Sequence, residues 1–294
     1  MRGLGLDRPA VMGIVNVTPD SFSDGGRYLD AGAAFAHGLE LAEAGADVLD
    51  VGGESTRPGA APVEAEEELR RVVPVVRRLA AEVAVPVSVD TMKAEVAESA
   101  LEAGASIVND VSAGRADPAM LPLVARAGAG YVAMHILGTP ATMQDDPRYD
   151  DVVAEVGDFL EERLEVAAQA GIPVDGLMAD PGIGFGKTTA HNLELLRRLP
   201  ELVERLAPVP VLVGTSRKGF IGRVLAGPGG HGVPVGEREE GTLATVVWAF
   251  DHGAAMVRVH DVRPAAEAAR LLAALATASP SDPDHEVIWR PHVR

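Results

Sequence analysis

The 294-residue chain contains no cysteine, few aromatic residues and no long apolar run. The absence of cysteine excludes a disulfide framework, a thiolate zinc site and a thiol nucleophile. No segment approaches the roughly 18 to 20 apolar residues of a membrane-spanning helix, and the first residues contain no apolar run of signal-peptide length. We therefore expect a soluble protein of the cytoplasm.

Basic residues are also scarce relative to acidic ones. The chain carries 26 Lys and Arg against 43 Asp and Glu, which gives a formal net charge of −17. Such a field repels phosphate backbones and anionic membrane surfaces. We therefore expect neither a nucleic-acid partner nor a membrane partner.

The residues that remain are those of an α/β protein. Hydrophobic residues make up 47% of the chain and charged residues 23%, while aromatic residues make up only 4%. The core must then consist of Val, Leu, Ile and Ala, which is typical of parallel strands buried on both faces under helices. The length fits either two domains of about 150 residues or one barrel of about 250 residues with a tail.

Short apolar segments recur along the chain, and each is followed by a polar cluster and then by a helical pattern. The predicted strands are 11–17, 47–51, 85–90, 106–110, 130–135, 176–180, 209–214 and 255–260. The predicted helices are 31–44, 64–82, 93–103, 119–127, 152–169, 191–205, 241–252 and 264–276. Strict alternation of this kind favours a doubly wound sheet or a TIM barrel.

The position of the polar residues decides between the two folds. An open sheet gathers them near one switch point, whereas a barrel can present a side chain from every strand at one rim. Nearly every predicted strand ends in polar residues, including Asn16, Glu54, Asp90, Asn109, Asp110, His135, Asp180, Ser216, Arg217, Lys218, Arg258, His260 and Asp261. We therefore predict a single TIM barrel with mobile loops at its C-terminal rim. It spans residues 1–278, and residues 279–294 form a tail outside the barrel core.

The segment DPGIGFGKT at 180–188 resembles a phosphate-binding P-loop because it ends in Gly-Lys-Thr. A P-loop also needs glycine five residues before Gly186, where this chain has Pro181, which lacks a backbone donor and conformational freedom. A glycine loop that shapes a pocket is therefore favoured. No histidine spacing indicates a zinc site, and the segment Gly-x-Ser-x-Gly of serine hydrolases is absent.

The polar strand ends divide into two sets. Asp90, Asn109, Asp180 and Lys218 could surround a flat heterocycle that has both N–H donors and a carbonyl acceptor, such as an amino-pyrimidinone. Asn16, Thr56, Arg258 and His260 offer cations, donors and a hard-oxygen ligand, which suits a diphosphate and its metal ion. A strand-end Asp or Asn is by itself more often a helix cap than a ligand. The convergence of many strand ends at one rim is what favours a binding site.

Several long segments resemble dihydropteroate synthases, in order and across most of the chain. They include MGIVNVTPDSFSDGGRY, VGGESTRP, VSVDTMK, IVNDVSAG, MHILGTPATMQ, DPGIGFGKTTAHNLELL, VGTSRKGFIG and RVHDV. The resemblance implies a TIM-barrel transferase of folate biosynthesis. Such an enzyme condenses 6-hydroxymethyl-7,8-dihydropterin diphosphate with p-aminobenzoate and releases 7,8-dihydropteroate and pyrophosphate.

The resemblance also implies roles for individual residues. Those implied for the pterin are Asp90, Asn109, Met134, Asp180, Phe185, Lys218 and Arg258, of which Asp90, Asn109, Asp180, Lys218 and Arg258 would be catalytic. Those implied for the diphosphate are Asn16, Thr56, Arg258 and His260, with Asn16 as the ligand of Mg²⁺. Those implied for p-aminobenzoate are Arg57, Pro58, Phe185, Ser216 and Lys218, with Ser21 and Asp24 in a closing loop.

The same resemblance implies a homodimer formed through the last helices, and inhibition by sulfonamides. Two other functions stay open at this point. One is a methyltransferase that uses methyltetrahydrofolate on the same barrel, which would have no use for the Ser-Arg-Lys segment. The other is a relative that binds pterins without turnover, against which the retained STRPG and SRK segments argue.

Overall fold

A computed structural model describes residues 6, 8–17, 27–57 and 59–278, and it confirms the predicted TIM barrel. The strands are β1 (Ala10–Asn16), β2 (Val48–Gly52), β3 (Val87–Asp90), β4 (Ile107–Asp110), β5 (Gly130–Met134), β6 (Leu177–Asp180), β7 (Leu212–Val213) and β8 (Met256–Val259). The helices are α1 (Arg27–Glu43), α2 (Ala65–Glu82), α3 (Ala94–Glu102), α4 (Met120–Ala127), α5 (Val152–Gln169), α6 (Thr189–Arg197), α7 (Leu199–Leu206), α8 (Gly219–Leu225), α9 (Glu239–Asp251) and α10 (Val262–Thr277).

The eight strands are parallel and follow the order β6-β5-β4-β3-β2-β1-β8-β7. The remaining gap, between β6 and β7, is bridged by Ala179 and Val211. In this seam the Ala179 N–H donates to the Pro210 carbonyl at 3.0 Å. The sheet therefore closes on itself, and the C-terminal ends of all the strands meet at one mouth.

Two apolar layers hold the barrel together. The interior contains small and flexible side chains from seven strands, namely Ala10, Met12, Val48, Ile107, Val132, Met178, Leu212 and Met256. The opposite faces of the strands pack against the helices in a larger cluster of mostly Val, Leu and Ala. Because every strand is covered on both faces, the strands contain almost continuous apolar residues. A polar side chain that points inward above the interior layer is therefore exceptional.

The structure differs from the sequence prediction in three elements. The predicted helix 191–205 is wrong: Arg198 interrupts it, and α7 starts anew with Pro200 in its first turn. Proline lacks the N–H that a continuous helix would need there. Helix α8 lies in a segment for which no helix was predicted. Strand β7 is shorter than the predicted strand 209–214 because Pro210 removes a backbone donor from the first half of that segment.

No helix within the described part of the chain is both long and apolar enough to cross a bilayer.

Candidate functional site

Five polar residues from five strand ends lie together in the barrel mouth, in a group that we call the ring pocket. They are Asp90 at the end of β3, Asn109 in β4, Asp180 at the end of β6, Lys218 after β7 and Arg258 in β8. Asp90 and Arg258 are in direct contact, with Arg258 Nη2 donating to Asp90 Oδ2 at 2.8 Å. The structure therefore gathers the five residues proposed as catalytic, four of them on strands and Lys218 in the loop after β7.

Asp50 in β2 joins this pocket and was missed in the sequence prediction. Its Oδ2 accepts hydrogen bonds from Arg258 Nε at 2.6 Å and from Asn109 Nδ2 at 2.9 Å. The sequence prediction passed over Asp50, although it is the penultimate residue of the predicted strand 47–51, as Asn109 is of the predicted strand 106–110. The available signal was a carboxylate in the otherwise apolar segment Val48–Gly52, where a charge is tolerated only with a buried partner.

Burial and neighbouring charges shift the pKa values of the ring pocket. Burial raises the pKa of Asp90 to about 7, against the opposing effect of Arg258, and the charge of Asp50 adds to the rise. Burial lowers the pKa of Lys218 to about 8, although Asp180 opposes the fall. Burial likewise raises the pKa of Asp180, opposed by Lys218. The pocket thus holds one acid, Asp90, and one base, Lys218, that can change protonation near neutral pH.

The glycine loop, residues 181–188, lines one side of this pocket with its groups already paired. The Gly182 N–H donates to Asp180 Oδ1 at 2.7 Å, and the Gly184 N–H donates to Asn192 Oδ1 at 2.6 Å. The Ile183 carbonyl accepts from Lys218 Nζ. A phosphate cradle needs free N–H groups pointing at the ligand, and here two of them are used internally. The loop shapes the pocket wall, as the sequence favoured.

Lys187, which resembles a P-loop lysine in the sequence, lies on the far side of the glycine loop. It is 1% exposed, and its Nζ contacts His135 Nδ1 at 2.8 Å and the Phe185 carbonyl at 3.0 Å. Burial lowers the pKa of Lys187 well below its usual value, and burial together with Lys187 lowers that of His135 to about 2. His135 is therefore a partner of Lys187 within the glycine loop's support.

An apolar wall lies beside the ring pocket. Met134 is 3% exposed and clusters with Val111, Ile136 and Met143, while Phe185 packs against this cluster. The Phe185 ring also lies under Lys218, whose Nζ is 4.5 Å from the ring centroid. Met134 and Phe185 are thus placed where a flat ring that contacts Lys218 would meet apolar surface.

The loops after β7 and β8 are tied together. His260 Nδ1 lies 2.9 Å from Ser216 Oγ, and Arg217 forms a two-pronged ion pair with Asp261. Arg217 adopts a left-handed backbone conformation, with φ of 58°, which costs a non-glycine residue free energy. Burial, and then the charge of Arg258, lower the pKa of His260 to about 3. His260 is therefore a neutral imidazole in this structure.

The other predicted diphosphate residues lie around the edge of the mouth. Asn16 ends β1 and is level with Gly52 in the neighbouring strand, which is itself level with Asp90. Thr56 follows β2 and is half-buried. Arg57 is exposed, and its charge reaches His260. The site thus has an inner ring pocket and an outer edge of different chemistry. Ser21, Asp24 and Pro58 lie outside the described residues.

A half-buried lysine, Lys93, fixes the start of the loop that contains Thr56. Lys93 Nζ contacts carboxylate oxygens of both Glu54, at the start of the loop, and Glu68, a fully buried residue of α2. Arg71 Nη1 also donates to the Gly53 carbonyl at 2.8 Å. Glu54, predicted only as a polar strand end, therefore anchors a loop.

Asp110, a polar strand end, and His191, a helix residue, have structural roles. Asp110 accepts hydrogen bonds from Ser112, Gly114 and the Tyr131 hydroxyl, all on the helix side of β4. His191 caps the first turn of α6 together with Thr188. For these residues the ordinary explanation of a polar residue near a strand end or a helix start is the correct one.

Comparison with known proteins gives matches both in sequence family and in structure. A model of the pterin binding enzyme family matches residues 12–260. A dihydropteroate synthase of Mycobacterium leprae is 51% identical, over 92% of this chain and 94% of its own length. A structure of a Xanthomonas albilineans dihydropteroate synthase with 4-aminobenzoic acid is 51% identical, with a TM-score of 0.86 over 94% of this chain and 96% of that one. A structure of a synthase from the same organism with 7,8-dihydropteroate is 47% identical, with a TM-score of 0.83 over 94% and 97%.

Proposed function

Since the chain belongs to the pterin binding enzyme family, we propose for it the reaction of its synthase relatives. It is a dihydropteroate synthase, a transferase that joins 6-hydroxymethyl-7,8-dihydropterin diphosphate to p-aminobenzoate and releases pyrophosphate. The observation that carries this function is the convergence of two carboxylates, an amide and two cations in one barrel mouth. A methyltransferase or a silent pterin-binding relative is not favoured by the comparisons.

The ring pocket orients the pterin. Carboxylates of Asp90 and Asp180 accept hydrogen bonds from ring N–H and amino groups, and Lys218 donates to the ring carbonyl. Displacement at the exocyclic methylene develops positive charge on the ring, which the two carboxylates stabilise in a site of low dielectric. No covalent nucleophile is required: the aryl amine forms the C–N bond as the C–O bond to the diphosphate breaks, and the proton that the amine loses leaves with the released pyrophosphate.

The edge of the mouth receives the diphosphate. Arg258 offers a permanent positive charge to the diphosphate, and Thr56 and His260 offer hydrogen-bonding groups. Because His260 is neutral before the substrate binds, it acts first as a hydrogen-bond donor or acceptor rather than as a cation. The approach of a polyanion favours its protonation, so that binding itself supplies charge to the leaving group.

Mg²⁺ fits this edge as a cofactor bound mainly through the substrate. Within residues 8–17, 27–57 and 59–278 no three acidic or histidine side chains form a metal cage. Mg²⁺ commonly binds one or two protein oxygens together with substrate phosphates and water. The Asn16 side-chain oxygen would be such a ligand, and the metal ion, when bound, would supply charge neutralisation for the diphosphate.

The p-aminobenzoate site lies next to the Ser-Arg-Lys loop. Ser216 and Lys218 lie on one side of it, Phe185 presents an aromatic face, and Arg57 offers a guanidinium for the carboxylate. Pro58, Ser21 and Asp24 complete the proposed site and its closing loop. Sulfonamides, which resemble p-aminobenzoate in shape and charge, are proposed to occupy the same place.

We further propose a homodimer through α9 and α10. Both helices present apolar side chains to solvent: Val247 is 37% exposed, Leu271 62% and Leu275 64%. Adjacent exposed apolar side chains of this size on one pair of helices favour a protein interface.

An assay of pyrophosphate release tests the function, with each substrate omitted in turn and with 7,8-dihydropteroate measured in parallel. We expect release only with both substrates, and loss of turnover in excess EDTA with recovery on added Mg²⁺. Asp180→Ala is the negative control, because loss of a buried acceptor weakens pterin binding by roughly 2–5 kcal/mol. Turnover that is undiminished in EDTA would rule out the metal, and release without p-aminobenzoate would rule out the synthase reaction.

A further inference from the structure

We propose that Asp50 is a positioning residue that sets the hydrogen-bonding pattern of the ring pocket, a role that rests on the proposed function. Asp50 is fully buried in β2, with two further residues before the strand ends. Unlike Asp90 and Asp180, it does not end its strand. Its carboxylate acts through two other residues of the ring pocket, Arg258 and Asn109.

Asp50 fixes the orientation of Arg258. One oxygen of Asp50 accepts from Arg258 Nε at 2.6 Å, while Arg258 Nη2 donates to Asp90 Oδ2 at 2.8 Å. One edge of the planar guanidinium, formed by Nε and Nη2, is thus shared between two carboxylates. An arginine with a single carboxylate partner prefers to bind both of its oxygens. Asp50 therefore keeps Arg258 from covering both oxygens of Asp90, and Asp90 Oδ1 stays available to a ring N–H.

Asp50 also fixes which end of the Asn109 side chain faces the ligand. An ionised carboxylate only accepts hydrogen bonds, so the group that Asn109 turns toward Asp50 Oδ2, 2.9 Å away, must be its NH₂. The Asn109 oxygen is then directed elsewhere and serves as an acceptor. Asn109 consequently selects a ring N–H or amino group at its position and disfavours a ring carbonyl, which makes Asp50 an indirect determinant of specificity.

The charge of Asp50 acts on Asp90 as well. The charged groups around Asp90 are Arg258 in β8, Asp50 in β2, Glu68 in α2, Asp110 in β4 and Lys218 after β7. Burial raises the pKa of Asp90 to about 7, Arg258 opposes this, and Asp50 is the largest of the repulsive neighbours. Removing the Asp50 charge would remove that repulsion and leave Arg258 to Asp90 alone, and both changes lower the pKa of Asp90.

The test compares Asp50→Asn with a matched control, Asp47→Asn. Asp47 directly precedes β2 at the opposite end of the barrel, where it pairs with Arg8. For Asp50→Asn we expect the KM of the pterin diphosphate to rise about tenfold and that of p-aminobenzoate to change less than about twofold. We expect the acidic limb of the pH profile of kcat/KM to move about one pH unit lower. Asp47→Asn should leave both substrates' KM values and the pH profile unchanged.

Unchanged KM for the pterin diphosphate and an unchanged acidic limb in a folded Asp50→Asn protein would overturn the proposal. If that variant does not fold, Asp50→Glu replaces it, because glutamate keeps the charge but displaces both partners. It should raise the KM of the pterin diphosphate and keep the wild-type acidic limb, and a wild-type KM would overturn the proposal. Calorimetry with the pterin alone tests the role of Asp50 independently of the proposed function. A wild-type protein that binds pterin without forming product refutes the proposed reaction. In that case Asp50→Asn must still weaken pterin binding if Asp50 is a positioning residue.

Discussion

Asp90 and Lys218 are two ionisable side chains of one pocket whose pKa values are shifted toward each other. Burial penalises the carboxylate of Asp90 and the ammonium of Lys218 alike, so the pKa of the acid rises to about 7 and that of the base falls to about 8. The form that we propose as reactive, with Asp90 ionised and Lys218 protonated, is therefore the main form only within a narrow range of pH.

We expect kcat/KM for the pterin diphosphate to follow a bell-shaped curve with limbs near pH 7 and pH 8. Below the first value Asp90 gains a proton and ceases to accept from the ring and from Arg258, and above the second Lys218 loses the charge that binds the ring carbonyl. Initial rates across roughly pH 6 to 9 measure this. Lys218→Met should retain the acidic limb and lose the basic one, and a flat wild-type profile would contradict the assignment.

At the next scale, the glycine loop is held by contacts that leave no space for a side chain. Gly182 has φ of 66°, and a Cβ there would lie 1.8 Å from the His135 carbonyl oxygen. The loop therefore needs glycine at this position both for its backbone conformation and for its approach to β5. Gly128, which ends α4, has φ of 65°, but a Cβ at that position would meet no neighbouring heavy atom within 4 Å.

Gly182→Ala and Gly128→Ala together separate these two requirements. The conformational cost is nearly equal, about 1–2 kcal/mol in each variant. Gly182→Ala adds a backbone clash, so its loss of stability should exceed roughly 4 kcal/mol and pterin binding should be lost. Urea unfolding of both proteins, with calorimetric titration of the pterin, measures the difference. Equal losses of stability would show that the loop can move away from β5.

The strands and helices were largely predictable from local sequence patterns, whereas several side-chain roles were not. Alternation of strand and helix, and the polar ends of the strands, follow from the periodicity of apolar residues, which is a local property. The break at Arg198 was signalled by Pro200 and was overlooked. The roles of Asp50, His135 and Lys187 could not be predicted, because each depends on partners that the barrel brings together across many residues of chain. The sequence alone does not specify those pairings.

At the scale of the whole molecule, the exposed apolar residues of α10 predict the effect of charge on assembly. Leu271→Glu combined with Leu275→Glu should place carboxylates in the proposed interface and give a monomer, while barrel stability changes by less than about 0.5 kcal/mol. Leu193→Glu on α6, where Leu193 is 44% exposed, is the matched control and should remain a dimer. Light scattering at micromolar protein distinguishes the two masses. A wild-type monomer would contradict the proposed homodimer.

The seam between β6 and β7 makes ligand binding relevant to the stability of the barrel as well. Along it the described strands share one backbone bridge, whereas β1 and β2 share five paired residues. Local opening of the barrel sheet should therefore begin at the seam between β6 and β7. Asp180 ends the strand on one side of the seam and Lys218 follows the strand on the other. A pterin that binds both side chains would link the two sides of this seam. The bound substrate would then stabilise the closed barrel in which it lies.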